Sequence, residues 1–295
     1  MKFTKMQGCG NDYVYVDCTK DELENPSAVA VFVSNRNFGI GSDGMILIKP
    51  SKRADFEMDM YNADGSRGMM CGNGIRCVAK YVYDHGLTEK KELAIDTPSG
   101  VRFLKLFVRD GKVESVSVDM GVPALDVRKI PVIYPKEQMI EEPLEVDGRI
   151  YHVTCISMGN PHCVIFVDED VREMDLTSIG PKFETHSVFP HGVNTEFVNV
   201  IDREHLRMRV WERGSGETLA CGTGACAAAV AAMKTELCEH RVEVALLGGS
   251  LTIEYGNRHD SHVMMEGPAV EVFTGEITIP EGITGDDTKI YKGLR

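Results

Sequence analysis

Cys71-Gly72-Asn73-Gly74-Ile75-Arg76-Cys77 opens an apolar, helix-forming segment in the first half of the chain. Cys221-Gly222-Thr223-Gly224-Ala225-Cys226 opens a similar segment 150 positions later, so each half of the 295-residue chain carries one Cys-Gly-polar-Gly sequence. A motif that returns after half the length of a chain indicates an internal duplication. We therefore expect two similar halves, each with a cysteine at the start of a helix.

A cysteine at the start of a helix is chemically distinctive. The unpaired N–H groups of the first turn and the positive end of the helix dipole favour a thiolate there, so we expect the pKa of both thiols to lie below the usual value of about 8.5. The same N–H groups can hold a carboxylate, and glycine at positions 72 and 222 allows the backbone to approach it closely.

Two such helix starts facing each other would place one sulfur on either side of a bound acid. One thiolate can then take the proton from the carbon beside the carboxylate, while the opposite thiol delivers a proton to the other face. The two helix starts would stabilise the developing carbanion electrostatically, and more strongly once water is excluded. This arrangement inverts a stereocentre and works in both directions with the roles of the sulfurs exchanged.

The repeat is wider than the cysteines. Gly10-Asn11 returns as Gly159-Asn160, and Gly41-Ser42-Asp43 returns as Gly192-Val193-Asn194, in the same order and at nearly the same spacing. These matches indicate an old duplication whose halves face each other across a cleft.

Strand patterns and turn sequences dominate the chain, and few helices are predicted. The helices are expected from Pro26, from Cys71 to about Gly86, near Ile179 to Thr185, and from Cys221 to about Met233. A domain boundary is expected at Gly121-Val122-Pro123, because residues 122–143 hold four of the twelve prolines. The Gly-rich end from Glu281 onward is predicted to be a loose tail.

The composition limits the class of protein. A net charge of −13 argues against nucleic-acid binding, which needs a basic surface. The longest uncharged run, Leu219 to Met233, is too short to span a bilayer and is predicted to be a buried helix. No signal-peptide pattern opens the sequence, so Met1 is expected to start the folded protein. Nine thinly spread cysteines are typical of reduced thiols in the cytosol.

Simpler interpretations of the two cysteine motifs stay open at this point. Both could be tight turns with buried thiols, since most single cysteines in such a chain are structural. A metal or dithiol site is disfavoured, because Cys71 and Cys77 are six residues apart and Cys221 and Cys226 five, so neither pair shares a helix face. Cys77 and Cys226 are therefore expected to pack in the core.

Other candidate residues are ordinary when taken singly. His162 alone would be a polar loop residue, Glu212-Arg213 alone a solvated ion pair, and asparagine is common beside Gly turns for backbone reasons. They become candidates because they lie in the repeated loops or just before a predicted reactive cysteine.

Five segments together resemble the diaminopimelate epimerase family. They are Met6-Gln7-Gly8-Cys9-Gly10-Asn11-Asp12, Asn62-Ala63-Asp64-Gly65-Ser66, Cys71-Gly72-Asn73-Gly74-Ile75-Arg76-Cys77, Met158-Gly159-Asn160-Pro161-His162 and Glu212-Arg213-Gly214-Ser215-Gly216-Glu217-Thr218-Leu219-Ala220-Cys221-Gly222-Thr223-Gly224. The resemblance covers about residues 1–280. It implies an isomerase that interconverts LL- and meso-2,6-diaminopimelate without pyridoxal phosphate or metal, in lysine and peptidoglycan precursor synthesis.

The resemblance also implies the architecture, an α/β fold of the α+β type. Two pseudo-symmetric domains would each have a mostly antiparallel sheet wrapped around a central helix, with the active site in the cleft between them. The last strand, near Val270 to Ile279, would return to the first domain. Residues 1–121 and 268–295 would then form the N-terminal domain that carries Cys71, and residues 122–267 the C-terminal domain that carries Cys221.

Roles for individual residues follow from the same resemblance. Cys71 and Cys221 would be the acid/base thiols, with His162 and Glu212 helping to set their protonation. Backbone N–H groups would hold the reacting carboxylate; they belong to Gly72, Asn73, Gly222 and Thr223. The rest of the pocket would be lined by Asn11, Asn62, Asn160, Asn194, Glu212 and Arg213. Arg213 would face the distal carboxylate, which suits a planar guanidinium, and Glu212 the distal ammonium.

Two departures from the family pattern stand out. Some members have Gln where this chain has Gly44, so a substrate contact from that loop is absent, and the tail after Ile279 has no assigned role. The nearest alternative is a related two-thiol racemase or epimerase acting on proline, hydroxyproline or histidine. The Glu212-Arg213 pair and the asparagines favour a substrate with a second charged amino-acid end.

A non-catalytic ligand-binding protein built on the same cleft is the alternative from another class. Apart from a small amino-acid substrate, the expected partner is a second copy in a homodimer, with neither nucleic acid nor membrane. No cofactor is expected, and the expected location is the cytoplasm.

Overall fold

A computed structural model of the chain describes residues 1–256, 258 and 260–283. It divides into two compact units, one made of residues 1–118 with the described part of 267–295, and the other of residues 119–266. The predicted boundaries follow residues 121 and 267, and the part of the predicted tail beyond residue 283 lies outside the described residues.

The described chain contains eighteen strands, four α-helices and two short 3-10 helices, Val127–Lys129 and Val171–Glu173. The strands are β1 (Lys2–Gly8), β2 (Asn11–Asp17), β3 (Gly44–Lys49), β4 (Phe56–Asn62), β5 (Arg67–Gly68), β6 (Glu92–Thr97), β7 (Gly100–Arg109), β8 (Lys112–Asp119), β9 (Glu142–Val146), β10 (Arg149–Ser157), β11 (Pro161–Phe166), β12 (Asn194–Val200), β13 (His205–Glu212), β14 (Gly216–Glu217), β15 (Arg241–Leu246), β16 (Gly249–Tyr255), β17 (Val263–Pro268) and β18 (Val270–Glu276). The helices are α1 (Pro26–Ser34), α2 (Gly72–Asp84), α3 (Leu176–Glu184) and α4 (Gly222–Lys234). No helix among the described residues combines the length and the apolar composition that a membrane crossing requires.

The strands of the first unit pair in the order β18, β1, β2, β3, β4, β6, β7, β8, with β5 folded back on β4. The pairs β2/β3 and β4/β6 are parallel and the others are antiparallel. The last strand of the chain therefore pairs with the first.

The strands of the second unit repeat this succession. They pair in the order β9, β10, β11, β12, β13, β15, β16, β17, with β14 folded back on β13, and the parallel pairs are β11/β12 and β13/β15. Each unit is thus a mostly antiparallel sheet with parallel pairs at the same two places, which is the α+β architecture of two pseudo-symmetric domains.

Helices α2 and α4 are the buried centres of the two units. Helix α2 contacts β1, β2, β7 and β18, and α4 contacts six strands of its own sheet. Residues 72–79 are buried without a break, and in α4 only Thr223 and Lys234 are not buried. The alanine-rich sequence of α4 has high helix propensity and lets the strands approach closely. Cys77 and Cys226 are fully buried here, which confirms that they are packing residues.

Helices α1 and α3 form a second apolar layer in their respective units. Helix α1 contacts β2, β3 and β4. Helix α3 contacts β12 and β13, the equivalents of β3 and β4, and also β14. Phe183 of α3 packs edge-to-face against Tyr151 and Phe197. Ile283 is buried in the apolar cluster that α1 covers, so the prediction of a loose tail from Glu281 onward is wrong for this residue.

Candidate active site

Cys71 and Cys221 are the N-cap residues of α2 and α4. Both have an extended backbone, and each Sγ accepts a hydrogen bond of 3.3 Å from the N–H three residues later, that of Gly74 or Gly224. The sulfur thus takes the place of the Ser or Asp oxygen of an ordinary N-cap. The N–H groups of the first two residues of each helix have no carbonyl four residues earlier in the same helix to bond, so they can donate to an anion at the helix start. They belong to Gly72, Asn73, Gly222 and Thr223.

Burial raises the pKa of both thiols. For Cys71, desolvation outweighs the N–H groups of the first helix turn and the nearby positive charge of Arg76, which favour the thiolate. For Cys221, desolvation is reinforced by the negative charges of Glu212 and Glu196, and the pKa lies well above its usual value. The expected lowering of both thiol pKa values is therefore wrong for this state of the protein, because removal from water costs a thiolate more than the helix start returns.

The Asn11 side chain is held in a fixed orientation against Cys71. A two-residue turn with positive φ at both positions, 54° at Cys9 and 81° at Gly10, places Asn11 at the start of β2. Its Nδ2 donates to Asp43 Oδ2 at 2.8 Å, and its Oδ1 accepts from Cys71 Sγ at 3.1 Å. Because a carboxylate only accepts, Asp43 turns the amide nitrogen toward itself and the amide oxygen toward the thiol.

A second amide, that of Asn73, is oriented by a buried arginine. Arg76 is fully buried and donates from Nη2 to Asn73 Oδ1 at 3.0 Å, and also to the carbonyl oxygens of Gly72 and Pro268 at 3.1 Å. Since a guanidinium only donates, the Asn73 amide nitrogen is turned toward Asn11 Oδ1, 3.5 Å away. Sequence analysis did not assign Arg76 a role, although an arginine among the apolar residues 75–79 was a usable signal.

Cys221 has acidic neighbours where Cys71 has amides. Burial is the main reason that the pKa of the Glu212 carboxyl is raised, and the negative charge of Glu196 adds to it. The Glu212 carboxylate accepts from the Thr218 hydroxyl and hydrogen-bonds the Cys221 thiol, and both contacts lower this pKa. Thr223 Oγ1 lies 3.5 Å from Cys221 Sγ on the other side.

His162 lies in the interior of the second unit and pairs with an acid that sequence analysis missed. Its Nδ1 is 2.7 Å from Glu196 Oε1, and neither side chain has any solvent exposure. Its Nε2 is 3.0 Å from Asn160 Oδ1, and Asn160 Nδ2 donates to Thr223 Oγ1 at 3.2 Å. Glu196 lies two residues after Asn194, the last residue of the repeated loop motif. A charged residue within an apolar strand was the only feature of the sequence that could have indicated its role.

Three predicted pocket residues have other contacts. Asn194 donates to the Pro161 carbonyl at 3.1 Å and accepts from the Arg213 backbone N–H at 2.8 Å, so both of its polar groups bind backbone. Asn62 donates to Ser66 Oγ at 2.9 Å within its own turn. The exposed Arg213 donates from its guanidinium to the carbonyl of His191 at 3.0 Å.

The structure therefore brings some of the predicted residues together within each unit. In the first unit these are Asn11, Cys71 and Asn73, and in the second Asn160, His162, Glu212, Cys221 and Thr223. Among the described residues, no group of three or more His, Cys, Asp or Glu side chains is arranged to hold a metal ion.

Gly44 is the first residue of β3 and has no room for a side chain in this backbone. A Cβ at this position would lie 2.2 Å from the carbonyl oxygen of Tyr61. The residue that differs from some family members is thus glycine for a local steric reason.

Comparison with known proteins identifies a single family. The diaminopimelate epimerase family model matches residues 3–125 and 154–272. A diaminopimelate epimerase of Acetivibrio thermocellus is 56% identical over 281 residues, which is 95% of this chain and 100% of that protein. One of Methanococcus maripaludis is 52% identical over 279 residues, with the same coverage.

Solved structures share the fold at much lower identity. A probable proline racemase from Agrobacterium radiobacter has a TM-score of 0.68 at 12% identity, covering 95% of this chain and 94% of that one. A phenazine biosynthesis protein of the PhzF family from Bacillus anthracis has a TM-score of 0.66 at 17% identity, covering 95% and 99%. The fold of this chain is therefore shared by proteins of low sequence identity.

Proposed function

The chain belongs to the diaminopimelate epimerase family, and we propose that it interconverts LL- and meso-2,6-diaminopimelate by proton transfer between the α-carbon and two thiols. The observation that carries this proposal is the pair of cysteine-capped helices. Cys71 and Cys221 occupy the same position at the start of the central helix in two units of the same topology. The mechanism requires both sulfur atoms to reach one carbon, at roughly 3–3.5 Å each.

The reacting carboxylate would bind to backbone N–H groups at the two helix starts. Negative charge moves onto this carboxylate as the α-proton leaves, and fixed donors stabilise it without reorganising during the reaction. The donors are the first-turn N–H groups of Gly72, Asn73, Gly222 and Thr223, which α-helix geometry leaves without internal partners.

The raised pKa of the thiols fits this chemistry. An α-proton is only weakly acidic, so a base with a high pKa removes it more readily than a weak one. The pKa of both thiols is raised in the free protein, so one of them would have to be brought to the thiolate form before it can act. Glu212, which hydrogen-bonds the Cys221 thiol, would help with His162 to set the protonation of that thiol.

The remaining assignments concern the distal end of the substrate. Arg213 would bind the distal carboxylate and Glu212 the distal ammonium, while Asn11, Asn62 and Asn160 would line the pocket. Asn194 would contribute by holding the backbone of Arg213, since its amide oxygen accepts from that N–H.

Lysine and cell-wall precursor synthesis in the cytoplasm is the setting we propose, with the protein acting as a homodimer. The nine cysteines are thinly spread along the chain, which supports a reducing compartment. The homodimer is proposed from family membership, and light scattering of the purified protein would measure it directly.

Exchange of the α-hydrogen with deuterated water tests the reaction. Wild-type protein should incorporate deuterium into both isomers when it starts from LL-diaminopimelate. Cys71→Ala and Cys221→Ala should each lose epimerisation by at least about a hundredfold, since each removes one acid/base group. Equal turnover in wild type and both variants would contradict the two-thiol mechanism.

The same assay with other amino acids separates the alternatives. Proline, hydroxyproline and histidine should show no exchange under conditions in which diaminopimelate is fully exchanged. Exchange of one of these substrates in place of diaminopimelate would assign the chain to a different two-thiol activity. Tight binding of diaminopimelate with no exchange at all would indicate a binding protein.

A further inference from the structure

A chain of hydrogen-bonded side chains runs from the interior of the second unit to Cys221. Glu196 Oε1 is 2.7 Å from His162 Nδ1, and His162 Nε2 is 3.0 Å from Asn160 Oδ1. Asn160 Nδ2 is 3.2 Å from Thr223 Oγ1, which is 3.5 Å from Cys221 Sγ. We propose that Glu196 is a positioning residue for Cys221, acting through His162, Asn160 and Thr223.

Glu196 is costly to bury, and packing alone does not account for it. Its side chain has no solvent exposure, and within the described residues Oε2 has no hydrogen-bond partner. Removing a carboxylate from water costs several kcal/mol even after the surroundings relax, and a buried polar atom without a partner calls for an explanation.

The first unit fills the equivalent position with an apolar residue. The parallel register pairs Tyr15 with Ile46 in β2/β3, and Val164 with Glu196 in β11/β12. A Cβ placed on Gly74 would lie 2.7 Å from Ile46 Cδ1, and one placed on Gly224 would lie 2.6 Å from Glu196 Oε1. Ile46 and Glu196 therefore occupy the same place against the central helix, and the fold itself does not require an acid there.

The direction of each hydrogen bond follows from the carboxylate. A carboxylate oxygen only accepts, so His162 Nδ1 donates to Glu196. The Asn160 amide oxygen that faces Nε2 also only accepts, so Nε2 donates to it, and the imidazole carries both N–H groups as the cation paired with the Glu196 carboxylate. The Asn160 nitrogen then donates to Thr223 Oγ1, which leaves the Thr223 hydroxyl hydrogen free for Cys221 Sγ. Without the carboxylate, the imidazole and the amide could both reverse, and Thr223 would donate to Asn160 instead of to the sulfur.

The contributions to the pKa of Cys221 include one from the Thr223 hydroxyl, which stabilises the thiolate. Hydrogen bonding from Thr223 lowers the pKa of Cys221, against the larger effects of burial and of the acids Glu212 on β13 and Glu196 on β12. His162 on β11 is the remaining titratable side chain of this cluster. The inference rests on the proposed function only in treating Cys221 as an acid/base group.

A double-mutant cycle tests the coupling without using the substrate. The rate of iodoacetamide alkylation of Cys221 is measured by peptide mass spectrometry over a range of pH, and its midpoint gives the thiol ionisation. Thr223→Val should raise the midpoint by about 0.5–1 pH unit, because a hydrogen bond to the thiolate is lost, and Thr223→Ser should restore it. In the Glu196→Gln background the same Thr223→Val change should have less than half that effect.

Controls separate positioning from a general loss of structure. Thr195→Val changes the fully buried residue that precedes Glu196 in β12, and it should leave the effect of Thr223→Val unchanged. The midpoint of Cys71 should not move in any variant. If Glu196→Gln does not fold, Asn160→Asp replaces the donating amide nitrogen by an acceptor, so Thr223 should donate to residue 160 instead of to Cys221 and the same loss of coupling is expected.

Additive effects of Thr223→Val and either Glu196→Gln or Asn160→Asp would overturn the proposal. So would a loss of coupling in Thr195→Val as large as that in Glu196→Gln. Because alkylation needs no diaminopimelate, a protein that fails the deuterium assay can still pass this one, and the two proposals fail separately.

Discussion

The surroundings of Cys71 and of Cys221 are equivalent in topology and different in chemistry. Strand register relates Tyr13 to His162 and Ile46 to Glu196, and the first unit therefore presents a phenol and an alkyl group where the second presents an imidazole and a carboxylate. Asn62 and Glu212 end the equivalent strands β4 and β13. The same backbone topology thus places neutral side chains at these positions in the first unit and an imidazole and a carboxylate at the same positions in the second.

This difference separates what the cysteine needs from what the fold needs. Both units keep the N-cap sulfur and the glycine three residues later, because the helix start is the element that presents the thiol. The side chains behind it differ, so the two thiols have different ionisation although each is buried at the same kind of helix terminus. Two inequivalent thiols suit a reaction whose two isomers present the proton from opposite faces.

Exchanging the residues at the equivalent core positions should give the largest effect. Ile46→Glu places a carboxylate next to Tyr15 and Tyr13 with no imidazole to pair with it, and we expect a loss of at least about 3 kcal/mol in the free energy of unfolding. The double change His162→Tyr with Glu196→Ile should stay folded, because replacing a buried ion pair by apolar groups is often neutral. Urea denaturation of both proteins measures the contrast, and equal stability would show that the two positions are not equivalent.

Arg76 offers the next comparison, because Cys226 holds its place in α4. Arg76→Leu leaves the carbonyls of Gly72 and Pro268 and the Asn73 amide oxygen without their buried donor, and should cost about 2–4 kcal/mol in the free energy of unfolding. Cys226→Ala removes one sulfur from the core and should cost roughly 1 kcal/mol. Thermal unfolding measures both, and an Arg76→Leu protein as stable as wild type would contradict the contacts described for the buried guanidinium.

The two helix glycines should differ in what they disturb. An added methyl group would contact Ile46 in Gly74→Ala and the Glu196 carboxylate in Gly224→Ala. Each substitution should lower the free energy of unfolding by about 1–3 kcal/mol. Only Gly224→Ala should shift the pH dependence of Cys221 alkylation, because it displaces Glu196 from His162. A similar shift in the pH dependence of Cys71 alkylation in Gly74→Ala would contradict the difference described between the surroundings of the two thiols.

The smallest effect is expected at Asp43, which orients the Asn11 amide. In Asp43→Asn the new amide can donate as well as accept, so Asn11 is free to turn its nitrogen toward the sulfur of Cys71 and stabilise the thiolate. The alkylation midpoint of Cys71 should then fall by about 0.5 pH unit, while that of Cys221 stays constant. Arg36→Gln is the matched control, since it removes a charge next to Asp43 without changing the acceptor that Asn11 uses.

The amino-acid sequence by itself determined the local features of this protein. The spacing of the Cys-Gly-x-Gly motifs predicted two like halves, and the local sequence predicted that Cys71 and Cys221 stand at the start of a helix. These inferences hold because a helix start, a turn and an alternating strand depend on residues close together in the chain. The family resemblance supplied the activity.

Only the tertiary structure decided how each thiol is surrounded. Glu196 lies 25 residues before Cys221 and Asp43 lies 28 before Cys71, and no local pattern brings either pair together. Strand register determines which side chain of β12 meets the start of α4, and a charged neighbour determines which way an amide points. The ionisation of the thiols was predicted with the wrong sign for the same reason: it depends on burial, which the fold of the whole unit creates.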